Sequence, residues 1–94
     1  MHISARLASR HPLSHHALLR MQQRSIPHRV VELLIDLADP VDAGDGCMLL
    51  RFDADSWAEA RRIAGGRATW LDRYRNAYVI LAVSGLVVTA ARLH

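Results

Sequence analysis

Residues 77–93, AYVILAVSGLVVTAARL, decide the fold of this chain. The segments 77–83 and 86–93 are rich in β-branched residues, and the Ser84-Gly85 pair between them suits a two-residue hairpin turn. A membrane span is the main alternative, but it needs about 20 continuous apolar residues, and the apolar run 77–91 is shorter and interrupted by Ser-Gly. The stretch therefore predicts an antiparallel β-hairpin.

Both faces of the first predicted strand are apolar, so we expect it to be central in a sheet and covered by helices. In the last strand, alternation places Val88, Ala90, Arg92 and His94 on one side. A further short apolar run, CMLLRF at residues 47–52, predicts another strand. The preceding segment 38–46, ADPVDAGDG, is rich in Asp, Gly and Pro and predicts a loop.

Two helices are predicted before this loop. Ser14 is a suitable N-cap for a helix that runs to about residue 23, and Pro27 favours the start of a second helix over residues 27–38. Helical spacing gives the first helix a core face and a neighbouring basic face. The core face comprises Ser14, Ala17, Leu18 and Met21. The basic face comprises His16, Arg20, Gln23 and Arg24. The same spacing points Val30, Val31, Leu34 and Leu37 of the second helix inward and Glu32 and Asp36 outward.

The predicted fold class is α+β: two N-terminal helices packed on a small antiparallel sheet, with a helical insertion between strands 1 and 2. That insertion comprises a helix over 57–64, preceded by a capping cluster at 53–56, and a turn or short helix near 68–73. With 94 residues the chain forms one domain, which we expect over residues 13–94 after a flexible N-terminal arm at 1–12.

Charge is distributed unevenly along the chain. All 12 basic residues are arginine, and net charges of +4, −6 and +5 fall on residues 1–35, 36–59 and 60–94. Guanidinium groups hold phosphate or carboxylate bidentately, so two basic blocks that meet in space would attract a nucleic-acid backbone. Interleaving with the acidic residues would instead give an ordinary self-paired surface.

Cysteine and metal-ligand patterns restrict the function classes. The single cysteine, Cys47, excludes an intramolecular disulfide and indicates a reducing, cytoplasmic compartment. His11, His15 and His16 lack a third ligand at a recognised spacing, and glycine-rich phosphate loops, serine elbows and CxxC motifs are absent. We therefore expect neither a metal nor a cofactor.

Seven residues are candidates for RNA chemistry. Ribonucleolytic cleavage needs groups that transfer protons and cations that hold the phosphate as charge builds. The candidates for proton transfer are His16, Tyr74 and His94, and the candidates for phosphate binding are Arg20, Arg24, Arg75 and Arg92. Each also has a structural interpretation, as a boundary histidine, a core aromatic or a solvated surface arginine.

Residues 13–27, LSHHALLRMQQRSIP, resemble the S-x-H-A-x-x-R-M-x-x-R-G-I signature of a family of short bacterial proteins of unknown function. The resemblance extends in weaker form to residue 92 and implies a fold related to RelE-like toxins, which are small α+β ribonucleases. It implies site roles for His16, Arg20 and Arg24, and for Arg92 at a position where members often have histidine. Ser25 replaces the family's glycine, and the chain ends at His94 without the family's basic tail.

The leading hypothesis is a toxin-like RNA-binding protein, with or without metal-independent endoribonuclease activity, whose partners are RNA or the ribosome and a cognate antitoxin. The alternative is a non-catalytic inhibitor encoded by a mobile element, similar to anti-CRISPR or antitoxin proteins, that binds a host protein or ribonucleoprotein complex. A third hypothesis is self-association as a homodimer through the open edge of the terminal strand. No membrane partner is expected.

Overall fold

The computed structural model describes residues 13–24, 26–65 and 69–92. The predicted N-terminal arm at 1–12 lies outside the described residues, as do Ser25, Leu93 and His94. The described elements are α1 (His15–Arg24), α2 (His28–Leu37), β1 (Val41–Gly44), β2 (Cys47–Arg51), α3 (Ala54–Ala64), a 3-10 helix (Thr69–Tyr74), β3 (Ala77–Ala82) and β4 (Val87–Arg92).

The architecture is α+β, as predicted: the helices pack on one four-stranded antiparallel sheet with strand order β1-β2-β3-β4. The predicted hairpin is formed by β3 and β4, and β3 is central, between β2 and β4. The predicted helical insertion lies between β2 and β3. These are the strands predicted as 1 and 2, because the structure has an additional strand, β1, before them.

That additional strand corrects the prediction of a loop over 38–46. Val41–Gly44 pairs with β2 as a β-hairpin, and Asp45 and Gly46 form the turn. Positive φ values at Gly44, Asp45 and Gly46 (83°, 55° and 72°) provide the left-handed backbone that tight hairpin turns need. Asp42 Oδ1 also accepts a hydrogen bond from the Gly44 N–H at 3.0 Å. These turn-forming residues therefore close a hairpin rather than an irregular loop.

Helix α1 is anchored to the start of β4. The Ser14 N–H donates to the Val87 carbonyl, the Ser14 hydroxyl donates to the Val88 carbonyl at 3.0 Å, and the Ala17 N–H donates to the Ser14 hydroxyl. The predicted N-cap role of Ser14 is thus confirmed. Ala17 and Met21 are buried, but Leu18 is 41% exposed, so its predicted place in the core is wrong.

Helix α2 is the most deeply buried helix among the described residues. Its residues 30–34 are buried in succession, which covers more than one full turn and hence most of the helix circumference. The predicted outward position of Glu32 is therefore wrong: this carboxylate is only 7% exposed, and its Oε1 has no hydrogen-bond partner among the described residues.

Helix α3 begins three residues earlier than the predicted start at residue 57. Asp53 is the N-cap, and a reciprocal capping box joins it to Ser56: the Ser56 N–H donates to Asp53 Oδ1 at 2.8 Å, and the Asp53 N–H donates to the Ser56 hydroxyl at 2.9 Å. These hydrogen bonds, chiefly the one from the Ser56 backbone, lower the pKa of the Asp53 carboxyl.

The sheet has an inner face toward the helices and an outer face. Inner-face residues such as Leu50, Val79 and Ala90 are buried in the core with residues of α1 and α2. A bulge in β4 between its pairs Val87↔Leu81 and Thr89↔Ile80 removes Val88 from the predicted alternation, whereas Ala90 and Arg92 share one side as predicted. Val87 faces the core instead, with Ala90.

Within the described ranges, no helix has the length and apolar character needed to cross a membrane.

Candidate nucleic-acid interface

The arginines of the structure fall into groups with different partners. Arg61 forms an ion pair with Asp72, and Arg62 forms one with Glu59. The hydrogen bond from Arg62 lowers the pKa of the Glu59 carboxyl and raises that of the Arg62 guanidinium. These two cations are locally compensated by acidic residues, so they contribute little to any anion-binding surface.

Two arginines instead stack on one buried tyrosine. The guanidinium carbons of Arg73 and Arg92 lie 5.7 and 5.9 Å from the centroid of the Tyr74 ring, so the two cations are at most about 12 Å apart. Arg92 Nη1 also donates to the Arg73 carbonyl at 3.3 Å. Tyr74 is 6% exposed and is held in the core, so its ring is a fixed support for both guanidinium groups.

A third arginine extends this arrangement onto the helix layer. The Arg29 guanidinium, in the first turn of α2, lies 5.9 Å from the Trp70 ring centroid. The Trp70 and Tyr74 rings meet edge to face with centroids 6.5 Å apart. Together these contacts join residues from α2, the 3-10 helix and β4 into what we call the arginine–aromatic surface: Arg29, Trp70, Arg73, Tyr74 and Arg92.

The electrostatics of the arginine–aromatic surface favour an anionic ligand. In the part of the chain that the structure describes, no acidic side chain pairs with Arg29, Arg73 or Arg92. Trp70 is 40% exposed, which leaves part of a large ring open to solvent among these cations. Cations that hold phosphates next to an aromatic ring that can stack on a base are the usual components of single-strand binding surfaces.

Arg75, a predicted phosphate ligand, is largely engaged by the fold. Its Nη1 donates to the Phe52 carbonyl at 2.8 Å, and its guanidinium lies 5.6 Å from the Trp57 ring centroid. The side chain therefore ties the start of β3 to the start of α3. It also lines a cavity of about 220 Å³ together with Arg51, Asn76 and the acidic Asp53.

The predicted site residues of α1 are distributed along the helix. His16 and Arg24 are exposed and Arg20 is half-buried, and in the described part of the structure none of the three forms a hydrogen bond, ion pair or ring contact through its side chain. His16 lies near the point where Ser14 meets Val87 and Val88. Arg24 lies at the other end of α1, five residues before Arg29.

The structure brings together some of the predicted site residues and separates others. Tyr74 and Arg92 are in direct contact. His16 sits near the start of β4, whereas Arg92 ends that strand, and five residues of strand correspond to roughly 16 Å. His16 therefore does not complete a proton-transfer set with Tyr74 here, and His94 lies outside the described residues.

Sequence reasoning missed Arg29, Trp70 and Arg73. A signal was present in residues 70–75, WLDRYR, where aromatic and basic residues are interleaved within two turns of helix. The contact of Arg29 with Trp70 joins residues that are 41 positions apart, and no local pattern indicates it.

The chain matches no known family model, and it has no significant similarity to a curated protein or to a solved structure. The proposed function therefore rests on the residues described above.

Proposed function

We propose that this protein binds single-stranded RNA through the arginine–aromatic surface. The observation that supports the proposal best is the set of three arginines without acidic partners, Arg29, Arg73 and Arg92, arranged around Trp70 and Tyr74. In the proposed complex, the guanidinium groups hold successive phosphates and the exposed part of Trp70 stacks on a base. The proposed setting is the cytoplasm, with cellular RNA or the ribosome as the partner.

The first prediction concerns the arginines that stack on Tyr74. The double variant Arg73→Ala/Arg92→Ala should bind a fluorescent 12-nucleotide RNA at least tenfold more weakly at low salt, because two charge-assisted hydrogen-bond donors are lost. Trp70→Ala should weaken binding by roughly tenfold through the loss of stacking on one base. Fluorescence anisotropy titrations provide both measurements.

Arg62→Ala is the matched control, because it removes an arginine that Glu59 already compensates. Its affinity for the RNA should stay within about twofold of the unsubstituted protein. Equal weakening by the Arg62 and the Arg73/Arg92 substitutions would refute the proposed surface. So would an unsubstituted protein that does not bind single-stranded RNA.

Toxin-like endoribonuclease activity is the narrower form of this proposal. Among the described candidates for proton transfer, Tyr74 is the one that belongs to the arginine–aromatic surface, and Arg92 beside it would stabilise the phosphate as charge develops. Cleavage of end-labelled RNA in the presence of a metal chelator, lost in Tyr74→Phe, would support this form. RNA that is bound but stays intact would show that the protein binds RNA without cleaving it. Stable co-purification with a host complex, without RNA binding, would favour the inhibitor alternative.

A further inference from the structure

The outer face of the sheet is unusually apolar for a surface. Its residues belong to three cross-strand rows, which are Val41, Leu49, Ile80 and Thr89, then Arg51, Tyr78 and Ala91, and finally Gly44, Cys47 and Ala82. Arg51 is the single charged residue among these ten positions, whereas solvated protein surfaces are about 25–35% charged. An antiparallel sheet with one solvated face normally carries polar residues on that face.

No described helix covers this face. None of the ten residues belongs to the buried core that joins the helices to the sheet, and all ten are half-buried or exposed. The apolar sequence of β3 predicts a strand covered by helices, and in the described structure helices cover only its inner face. The apolar outer side of β3 therefore requires a different explanation.

We propose that the outer faces of two copies of this chain pack against each other to form a homodimer. Four strands about 4.8 Å apart, each about 17 Å long, give a flat footprint of roughly 330 Å², so two packed copies would bury at least about 650 Å² in total. That area is small for a protein–protein interface, so we expect a weak dimer that forms only at high protein concentration.

Self-association fits this surface better than a nucleic acid does. The outer face offers a single cation, Arg51, and a single aromatic ring, Tyr78, which is too little for a strand of phosphates and bases. In an aligned sheet-on-sheet packing, Leu49 and Ile80 of one copy can meet the same residues of the other. Arg51 lies at the end of β2, so its charge can stay in solvent at the rim.

Sedimentation velocity of the full chain without RNA tests the dimer. Between 1 and 100 µM the sedimenting mass should rise from 10.5 kDa toward twice that value. Ile80→Lys should keep the protein monomeric throughout this range, whereas Leu19→Lys should dimerise normally. Leu19 is the matched control because it is a 43% exposed apolar residue on α1, in the helix layer.

Chemical labelling of Cys47 gives a second readout that needs no substitution. This thiol is half-buried and lies on the outer face, opposite Ala82. Its alkylation rate should therefore fall at least fivefold between dilute and concentrated protein. A monomer at 100 µM with a concentration-independent alkylation rate would overturn the proposal, and so would equal effects of the Ile80 and Leu19 substitutions. RNA binding can hold or fail independently of either result.

Discussion

At the scale of single residues, Glu32 is the group least compatible with its surroundings. It lies between buried Val31 and Leu33 on α2, and its Oε1 has no hydrogen-bond partner among the described residues. Burying a polar group without a partner costs roughly 1–3 kcal/mol. We therefore predict that Glu32→Met, an apolar change of similar size, raises the free energy of unfolding by about 1–2 kcal/mol in urea titrations.

Glu59→Met is the control for that prediction, because Glu59 is on the surface side of α3 and is paired with Arg62. It should give no gain in stability. A lower free energy of unfolding for Glu32→Met would show that the carboxylate has a stabilising partner in solution.

Individual site residues were predictable only where their roles depend on residue type. Tyr74 and Arg92 were chosen from the sequence as an aromatic and a cation near the two ends of the hairpin, and they are in contact. Arg75 was chosen on the same grounds, but its guanidinium supports the fold through the Phe52 carbonyl and Trp57. Which arginine supports the fold and which remains open depends on contacts that sequence does not reveal.

At the scale of secondary structure elements, the capping box of α3 makes a prediction for helix stability. Asp53→Ala removes the acceptor of the Ser56 N–H and should lower the melting temperature by several degrees. Asp53→Asn should retain most of the cap, because asparagine is an equally good N-cap. Circular dichroism melts of the three proteins measure the difference, and equal melting temperatures for all three would contradict a stabilising cap.

The same cap predicts how stability changes with pH. Hydrogen bonds lower the pKa of Asp53 in the folded state below the ordinary value of 3.8, so the unfolded chain takes up its proton first as the pH falls. The stabilisation is complete well above pH 3.8 and is lost as the pH falls through the folded-state pKa. The melting-temperature advantage over Asp53→Ala should therefore shrink below pH 4, and an advantage that stayed constant down to pH 2.5 would contradict this assignment.

Elements with an apolar periodicity were predicted, and the one without such a pattern was missed. Strand β1 has the sequence VDAG and is exposed along its whole length, so it lacks both alternation and a hydrophobic run. Its pairing with β2 is the interaction that defines it as a strand. The turn residues 44–46 were the available signal, and they were interpreted as part of a loop.

At the scale of the whole molecule, two surfaces with different chemistry lie on different parts of the fold. The arginine–aromatic surface joins the start of α2, the 3-10 helix and the end of β4, whereas the apolar outer face spans the middle of all four strands. A homodimer through the outer face would carry two arginine–aromatic surfaces. Simultaneous binding of one RNA strand by both would raise the apparent affinity without any new contact.

The salt dependence of RNA affinity tests the central claim most directly, because it counts the phosphates that are neutralised on binding. For three arginine contacts, with about 0.7 counterions released per phosphate of a single strand, the slope of log K against log salt should be about −2. In the Arg73→Ala/Arg92→Ala variant only one of the three arginine contacts remains, so the slope should be shallower, at about −0.7. A slope near zero, or one that the double substitution leaves unchanged, would contradict RNA binding through this surface.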